Sequence, residues 1–253
     1  MSPASSAALR GALAFLTRLP VTTCEGDWDA FRARPVVFPI VGAIAGAIAA
    51  IPLLAANALP APTIAFGYLL AVYAVTGIHH LDGVADLGDA FVVHGDSARR
   101  REVLKDTTTG VGALLAVSLA VAGLALGALG VAALPLAAAL AVVVAAEVGA
   151  KLGMSAMACG ARASHDGMGS QFTAEAAPAS VVAPAVAAVP VAFLSWPEPV
   201  AAATLLGATA GACLPWLWAR RHLEGVTGDV FGAANEIGRL AGLHAGVIAW
   251  TLL

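Results

Sequence analysis

The chain has 253 residues, is 60% hydrophobic and only 11% charged, and carries a formal net charge of −3; its mean hydropathy is +0.87. A soluble globular domain is about 25% charged, so this chain lacks the polar surface to cover a water-facing body. The composition predicts an all-α polytopic helical bundle in a membrane, a single domain over 1–253, and the near-neutral charge argues against a nucleic-acid partner.

The first apolar stretch, 7–19, is interrupted by Arg10 and Arg18 and stopped by Pro20. It is too short and too charged to span, and reads as a helix lying at the interface. No basic residue precedes its apolar part, so a secretory signal is not expected. Residues 21–35 are polar and read as a loop. Candidate spans then fall near 36–57, 63–79, 111–131, 133–153, 179–196, 200–219 and 237–253, about seven in all. The last is the weakest, because it contains Arg239 and His244. Cys24, Cys159 and Cys213 are odd in number and far apart, which supports neither a disulfide framework nor a thiolate metal site.

Seven spans place the connections on alternating sides. One side receives 1–35, 80–110, 154–178 and 220–236; the other receives 58–62, 132, 197–199 and the C-terminus. With Lys151 and Arg239 counted at the ends they adjoin, all 13 Lys and Arg fall on the first side, and the only charge on the second is Glu198. The positive-inside rule makes the first side cytoplasmic and predicts a plasma-membrane protein. The opposite connections are stubs, so any site should be built from the long cytoplasmic ones.

The first of these opens with His79-His80-Leu81-Asp82-Gly83-Val84-Ala85-Asp86-Leu87-Gly88-Asp89. Asp82, Asp86 and Asp89 stand at i, i+4 and i+7, one face of a helix, where like charges repel. A cation should offset that repulsion, and carboxylate oxygens suit Mg²⁺ or Mn²⁺. A plain acidic helix start is the structural alternative. Arg99-Arg100-Arg101, Lys105, Asp106 and Thr107-Thr108-Thr109-Gly110 follow. Metal-binding carboxylates, a basic group and a hydroxyl-rich loop are the parts of a phosphate or pyrophosphate site. The three arginines could equally be headgroup anchors. His80 is a candidate general base toward an attacking hydroxyl.

Further along, Glu147 precedes Lys151 by one turn inside a span, the preferred order for a self-neutralising pair. Asp166 lies in a glycine-punctuated turn, His165-Asp166-Gly167-Met168-Gly169. Gly228, Asp229 and Glu236 fall in the last loop, where Asp229 and Glu236 could share a face toward a second metal or a substrate, or Asp229 could simply cap a helix.

Taken together, several short motifs in order resemble the membrane-embedded cobalamin (vitamin B12) synthases, the adenosylcobinamide-GDP ribazoletransferases. They are Phe15-Leu16-Thr17-Arg18-Leu19-Pro20-Val21, Phe38-Pro39-Ile40-Val41-Gly42, His80-Leu81-Asp82-Gly83-Val84-Ala85-Asp86 with Asp89, and Leu104-Lys105-Asp106 running into Gly110-Val111-Gly112-Ala113. Asp166-Gly167-Met168-Gly169 and Gly225-Val226-Thr227-Gly228-Asp229 with Glu236 complete the set. Thr107-Thr108-Thr109 and Gln171 depart from the family pattern.

The resemblance implies a Mg²⁺-dependent transfer joining adenosylcobinamide-GDP to α-ribazole or its 5′-phosphate, with release of GMP. It implies Asp82, Asp86 and Asp89 as the Mg²⁺ ligands and Lys105 as the group facing the phosphates. One of His80, Asp106 or Asp89 would be the base, and Gly83, Asp166, Gly228, Asp229 and Glu236 would contact substrate. Two other readings are a CDP-alcohol type phosphotransferase, whose expected Arg is replaced here by Asp86, and a cation-coupled transporter, which would favour midplane charges and inverted repeats. An oligomer is compatible with either.

Overall fold

A computed structural model describes residues 3–253. Among these the chain is helical throughout, with no strand and one isolated bridge between Ala163 and Val226. Helix α1 (Pro3–Leu16) covers most of the stretch 7–19. The polar segment after it is not all loop, since it contains a short α2 (Asp27–Arg32). Arg10 fastens the two helices, reaching both oxygens of buried Asp27 at 2.6 and 3.0 Å. Phe15, Trp28, Phe31, Phe38 and Phe172 pack ring against ring beneath them.

The bundle proper comprises α3 (Val37–Ala49), α4 (Ala61–Thr76), α5 (His79–Val92), α6 (Ser97–Val103), α7 (Val111–Ala132), α8 (Leu136–Gly160), α9 (Met168–Thr173), α10 (Val182–Ala188), α11 (Val200–His222) and α12 (Gly228–Thr251). The most enclosed is α8, with α3, α11 and α12 packed on it. Small residues allow that approach: a Cβ on Gly42 would lie 2.7 Å from the Glu147 carbonyl oxygen. This is how helices associate when lipid competes for every apolar contact.

The molecule is a polytopic helical membrane protein. Four segments, Val37–Ala55, α7, α8 and α11, are long and apolar enough to cross a bilayer; α4 and α5 qualify only as a pair, bent by 96°. The sequence expectation was seven, and the shortfall has physical causes. The stretch 179–196 forms an apolar helical run, Pro178–Phe193, that is shorter than a full span and changes to 3₁₀ turns on either side of α10, each 3₁₀ segment having a proline in its first turn. The final helix is long at 24 residues but carries Asp229, Glu236 and Arg239. It also starts nine residues before the expected boundary at 237, because Thr227 caps it by accepting from the Val230 N–H at 3.4 Å. Similarly, α8 runs seven residues beyond the expected 153.

The long connections meet at one end of the bundle. Arg101 bonds Glu224 at 2.9 Å, Ser164 Oγ bonds the Leu223 carbonyl at 2.8 Å, and Trp28 Nε1 bonds Gln171 at 3.1 Å. Across this mouth lies α5, turned away from α4 at Gly77, whose φ of 71° is the left-handed conformation that favours glycine. It rests on the first turns of α12 and α7.

Candidate active site

The turn at Gly77 makes α5 run across the bundle mouth instead of continuing α4. Its apolar positions Val84, Leu87 and Ala90 are buried, while Asp82 is exposed and Asp86 and Asp89 are half-buried. Gly83 sets the spacing, since a Cβ there would collide with the Asp229 carbonyl oxygen. It is therefore a packing contact between α5 and α12.

The three aspartates do share one face. They border a cavity of about 310 Å³ closed by Lys105, Asp106 and Thr107 to Thr109. Lys105 is exposed and makes no ion pair with any described residue. Asp106 accepts from both the backbone N–H and the hydroxyl of Thr108, at 3.0 and 2.8 Å. Those bonds hold its carboxyl below the usual carboxylate range.

Asp89 has a second attachment. Its oxygens accept the N–H groups of Gly110 at 2.8 Å and Ala113 at 2.9 Å, so it caps the start of α7 from the neighbouring helix. Asp229 sits close enough to matter electrostatically. Burial, then the charges of Asp229, Asp82 and Asp89, push the Asp86 carboxyl up to about 7.

No set of three or more His, Cys, Asp or Glu among the described residues is gathered into a cage for a metal. A closed cage is not what Mg²⁺ requires: it keeps several waters and takes one or two carboxylates together with substrate phosphates. Asp82 and Asp86 on the cavity wall fit that demand, and a cation would relieve the repulsion that adds to burial in raising Asp86.

Other expected site residues lie elsewhere. His80 is buried and faces into the bundle, its Nδ1 3.1 Å from the Asn235 side-chain amide. It does not line the cavity, so the base role expected for it is replaced by a link between α5 and α12. Glu236 is fully buried and bonds Arg239 at 2.6 Å, which removes it as a substrate contact. Asp166 is exposed on the 161–167 turn, and Gly228 packs on the Met168 side chain, 3.1 Å from a Cβ built there; neither borders the cavity.

What the sequence reading missed is Asn235, and the joining of Glu147 and Lys151 on α8 to Glu236 and Arg239 on α12 in one buried polar network behind α5. Arg239 bonds both oxygens of Glu147. Lys151 is 3.9 Å from Glu147 and donates to Asn235. Asn235 in turn bonds Glu236 at 3.3 Å. Glu147, Lys151, Asn235, Glu236 and Arg239 are all fully buried. The expected pair of Glu147 with Lys151 is thus the longer contact, and the closer partner comes from α12. The available signal was Glu236 and Arg239 at i, i+3 facing an equally charged α8.

Comparison with known proteins follows this geometry. The cobalamin-5-phosphate synthase family profile matches residues 8–247. A protein of Halorubrum lacusprofundi named adenosylcobinamide-GDP ribazoletransferase is 50% identical over 96% of this chain and 98% of its own. One of the same name from Halobacterium salinarum is 59% identical over 78% of this chain and 99% of its own. A third, from Haloquadratum walsbyi, is 42% identical over 97% and 98%. No solved structure matches the chain.

Proposed function

The chain belongs to the cobalamin-5-phosphate synthase family and is a transferase of cobalamin biosynthesis; from that premise we propose the following reaction. It joins adenosylcobinamide-GDP to α-ribazole, or to its 5′-phosphate, and releases GMP, with Mg²⁺ as cofactor. A hydroxyl oxygen of the acceptor attacks the phosphorus next to cobinamide. The P–O bond to the GMP half breaks, and the hydroxyl proton leaves to a base. The products are adenosylcobalamin, or its phosphate, and GMP.

One observation carries this reading: Asp82, Asp86 and Asp89 open on one cavity with Lys105 and three threonine hydroxyls. Phosphoryl transfer depends mainly on positioning and charge stabilisation. Asp82 and Asp86 would hold the metal, with Asp89 steadying α5 against α7. Mg²⁺, when bound, would neutralise charge on the two phosphates. Lys105, with no carboxylate partner, is free to follow charge onto the departing GMP. Of the three bases expected, Asp106 is the one on the cavity wall whose carboxylate is not committed to another helix. The charge pattern supports a plasma-membrane location with this mouth facing the cytoplasm.

The test is GMP release by the purified chain in detergent with both substrates and Mg²⁺. Asp82→Ala should lower turnover at least 10³-fold, a loss of the size seen for principal electrostatic groups, with membrane insertion intact. Near-normal turnover in that variant would remove the metal role.

A further inference from the structure

A second cavity, of about 360 Å³, lies at the same end of the bundle between the last turns of α8 and α11. Arg162, Arg220, Trp216, Glu224 and Gly225 border it. It shares no residue with the aspartate cavity. Arginines at helix C-termini ordinarily serve the macrodipole or anchor headgroups. These two differ in facing one enclosed space together, and neither makes an ion pair or side-chain hydrogen bond with any described residue. The one carboxylate on the wall, Glu224, is already answered by Arg101 at 2.9 Å. The cavity therefore keeps two uncompensated guanidinium charges beside an indole ring.

Its wall is also built to hold shape. Val226 N–H bonds the Arg162 carbonyl at 2.8 Å, and Ser164 N–H bonds the Val226 carbonyl at 3.0 Å. At the corner Glu224 adopts φ of 61°, a left-handed conformation uncommon for a residue with a side chain. Gly225 allows the two strands of chain to touch, since a Cβ there would lie 2.6 Å from the Arg162 carbonyl oxygen. On the floor Gly160 admits the Trp216 ring, 3.2 Å from a Cβ built there.

The geometry points to a phosphate-binding site at Arg162 and Arg220, with Trp216 as a stacking or interfacial platform. Guanidinium forks match phosphate oxygens; a phosphomonoester brings close to two negative charges for two cations, and a phosphodiester headgroup brings one. Two sources fit this chemistry at a membrane surface. One is the 5′-phosphate of the acceptor, which the proposed reaction leaves untouched and can therefore be held away from the aspartates; this source rests on that reading. The other is a phospholipid headgroup, which does not.

The full chain in detergent is assayed with α-ribazole 5′-phosphate and with α-ribazole. If the acceptor fills the site, Arg162→Gln and Arg220→Gln each raise the ratio of the two KM values about tenfold, the worth of one charge-assisted bond. The corresponding Lys variants fall between. If a headgroup fills it, the ratio stays at the wild-type value. The Gln variants then lose the extra thermal stabilisation that phosphatidylglycerol nanodiscs give over phosphatidylcholine ones. Variants that move neither readout overturn the site. A wild-type chain with no turnover would refute the proposed reaction alone, and calorimetric titration with inorganic phosphate would then decide the pocket. Both arginines are exposed, so the substitutions do not disturb the core.

Discussion

Removing Arg239 is the sharpest perturbation the structure offers. Two carboxylates, Glu147 and Glu236, and two cations, Lys151 and Arg239, are all fully buried and sum to zero charge. Arg239 is the hub, bonded to both carboxylates. In Arg239→Met, Glu147 retains only Lys151 at 3.9 Å, and Glu236 retains the Asn235 amide at 3.3 Å and the Tyr73 hydroxyl at 3.5 Å. One buried negative charge is left over, a situation that costs about 3–5 kcal/mol. Removing Glu147 together with Arg239 takes out one charge of each sign and restores neutrality. The double variant Glu147→Met/Arg239→Met is therefore expected to be more stable than Arg239→Met alone. The assay is unfolding in mixed micelles at rising SDS fraction, read by tryptophan fluorescence. If Arg239→Met costs under about 1 kcal/mol, or the double variant loses the sum of the two singles, the interaction is worth no more than a surface pair and the account of a mutually dependent network fails.

Three further outcomes follow from the mouth of the bundle. Below about 7 the Asp86 carboxyl carries a proton and above it is ionised, so under the proposed role Mg²⁺ would have to displace that proton; the Mg²⁺ concentration for half-maximal rate should then fall as pH rises from about 6 to 8 and level off, and a flat requirement contradicts the proposal. Asp89→Ala strips two N–H groups at the start of α7 of their acceptors and should cost about 0.5–2 kcal/mol in the same unfolding assay, with Asp89→Asn retaining part of it. Gly83→Ala drives a methyl into the Asp229 carbonyl; it should destabilise by about 1–3 kcal/mol and depress turnover as α5 lifts from α12, and a fully active, unshifted variant would mean the contact does not set the aspartates.

Much of this was readable in advance because it depends on local pattern. The i, i+4, i+7 spacing put Asp82, Asp86 and Asp89 on one face whatever the rest of the chain did, and Lys105 and Asp106 followed within reach. What escaped depends on which helix lies behind which. His80 precedes Asp82 by two residues in sequence, yet that offset turns it to the opposite side of α5, where Asn235 waits. Asp229 and Glu236, seven apart, were expected to act together; the first stays at the mouth and the second is drawn into the network by Arg239. The start of α12 was misplaced because Asp229 and Glu236, among glycines, looked like loop. Glu236 and Arg239 are tolerated inside the bundle because they pair with each other and with Glu147 of α8, and no window of sequence contains both helices.

The fold therefore handles charge in two different ways, far apart in sequence and side by side in space. Behind α5, each buried charge has an opposite within the protein, and the sum is zero. In front of it, Asp82, Asp86 and Asp89 share one face of α5, with Asp229 of α12 close enough to act on Asp86 and Lys105 the only cation among the described residues of the cavity wall. A protein able to neutralise two carboxylates in its apolar interior has no physical obstacle to doing so at its mouth. Leaving that face acidic is what the proposed Mg²⁺ role would require, its counter-charge then arriving with the ligand. The bond between His80 and Asn235 joins the two regions, so the neutral network holds steady the helix whose other face is left acidic. This division makes stability and catalysis separable: substitutions behind α5 should act first on unfolding, and those in front of it on turnover.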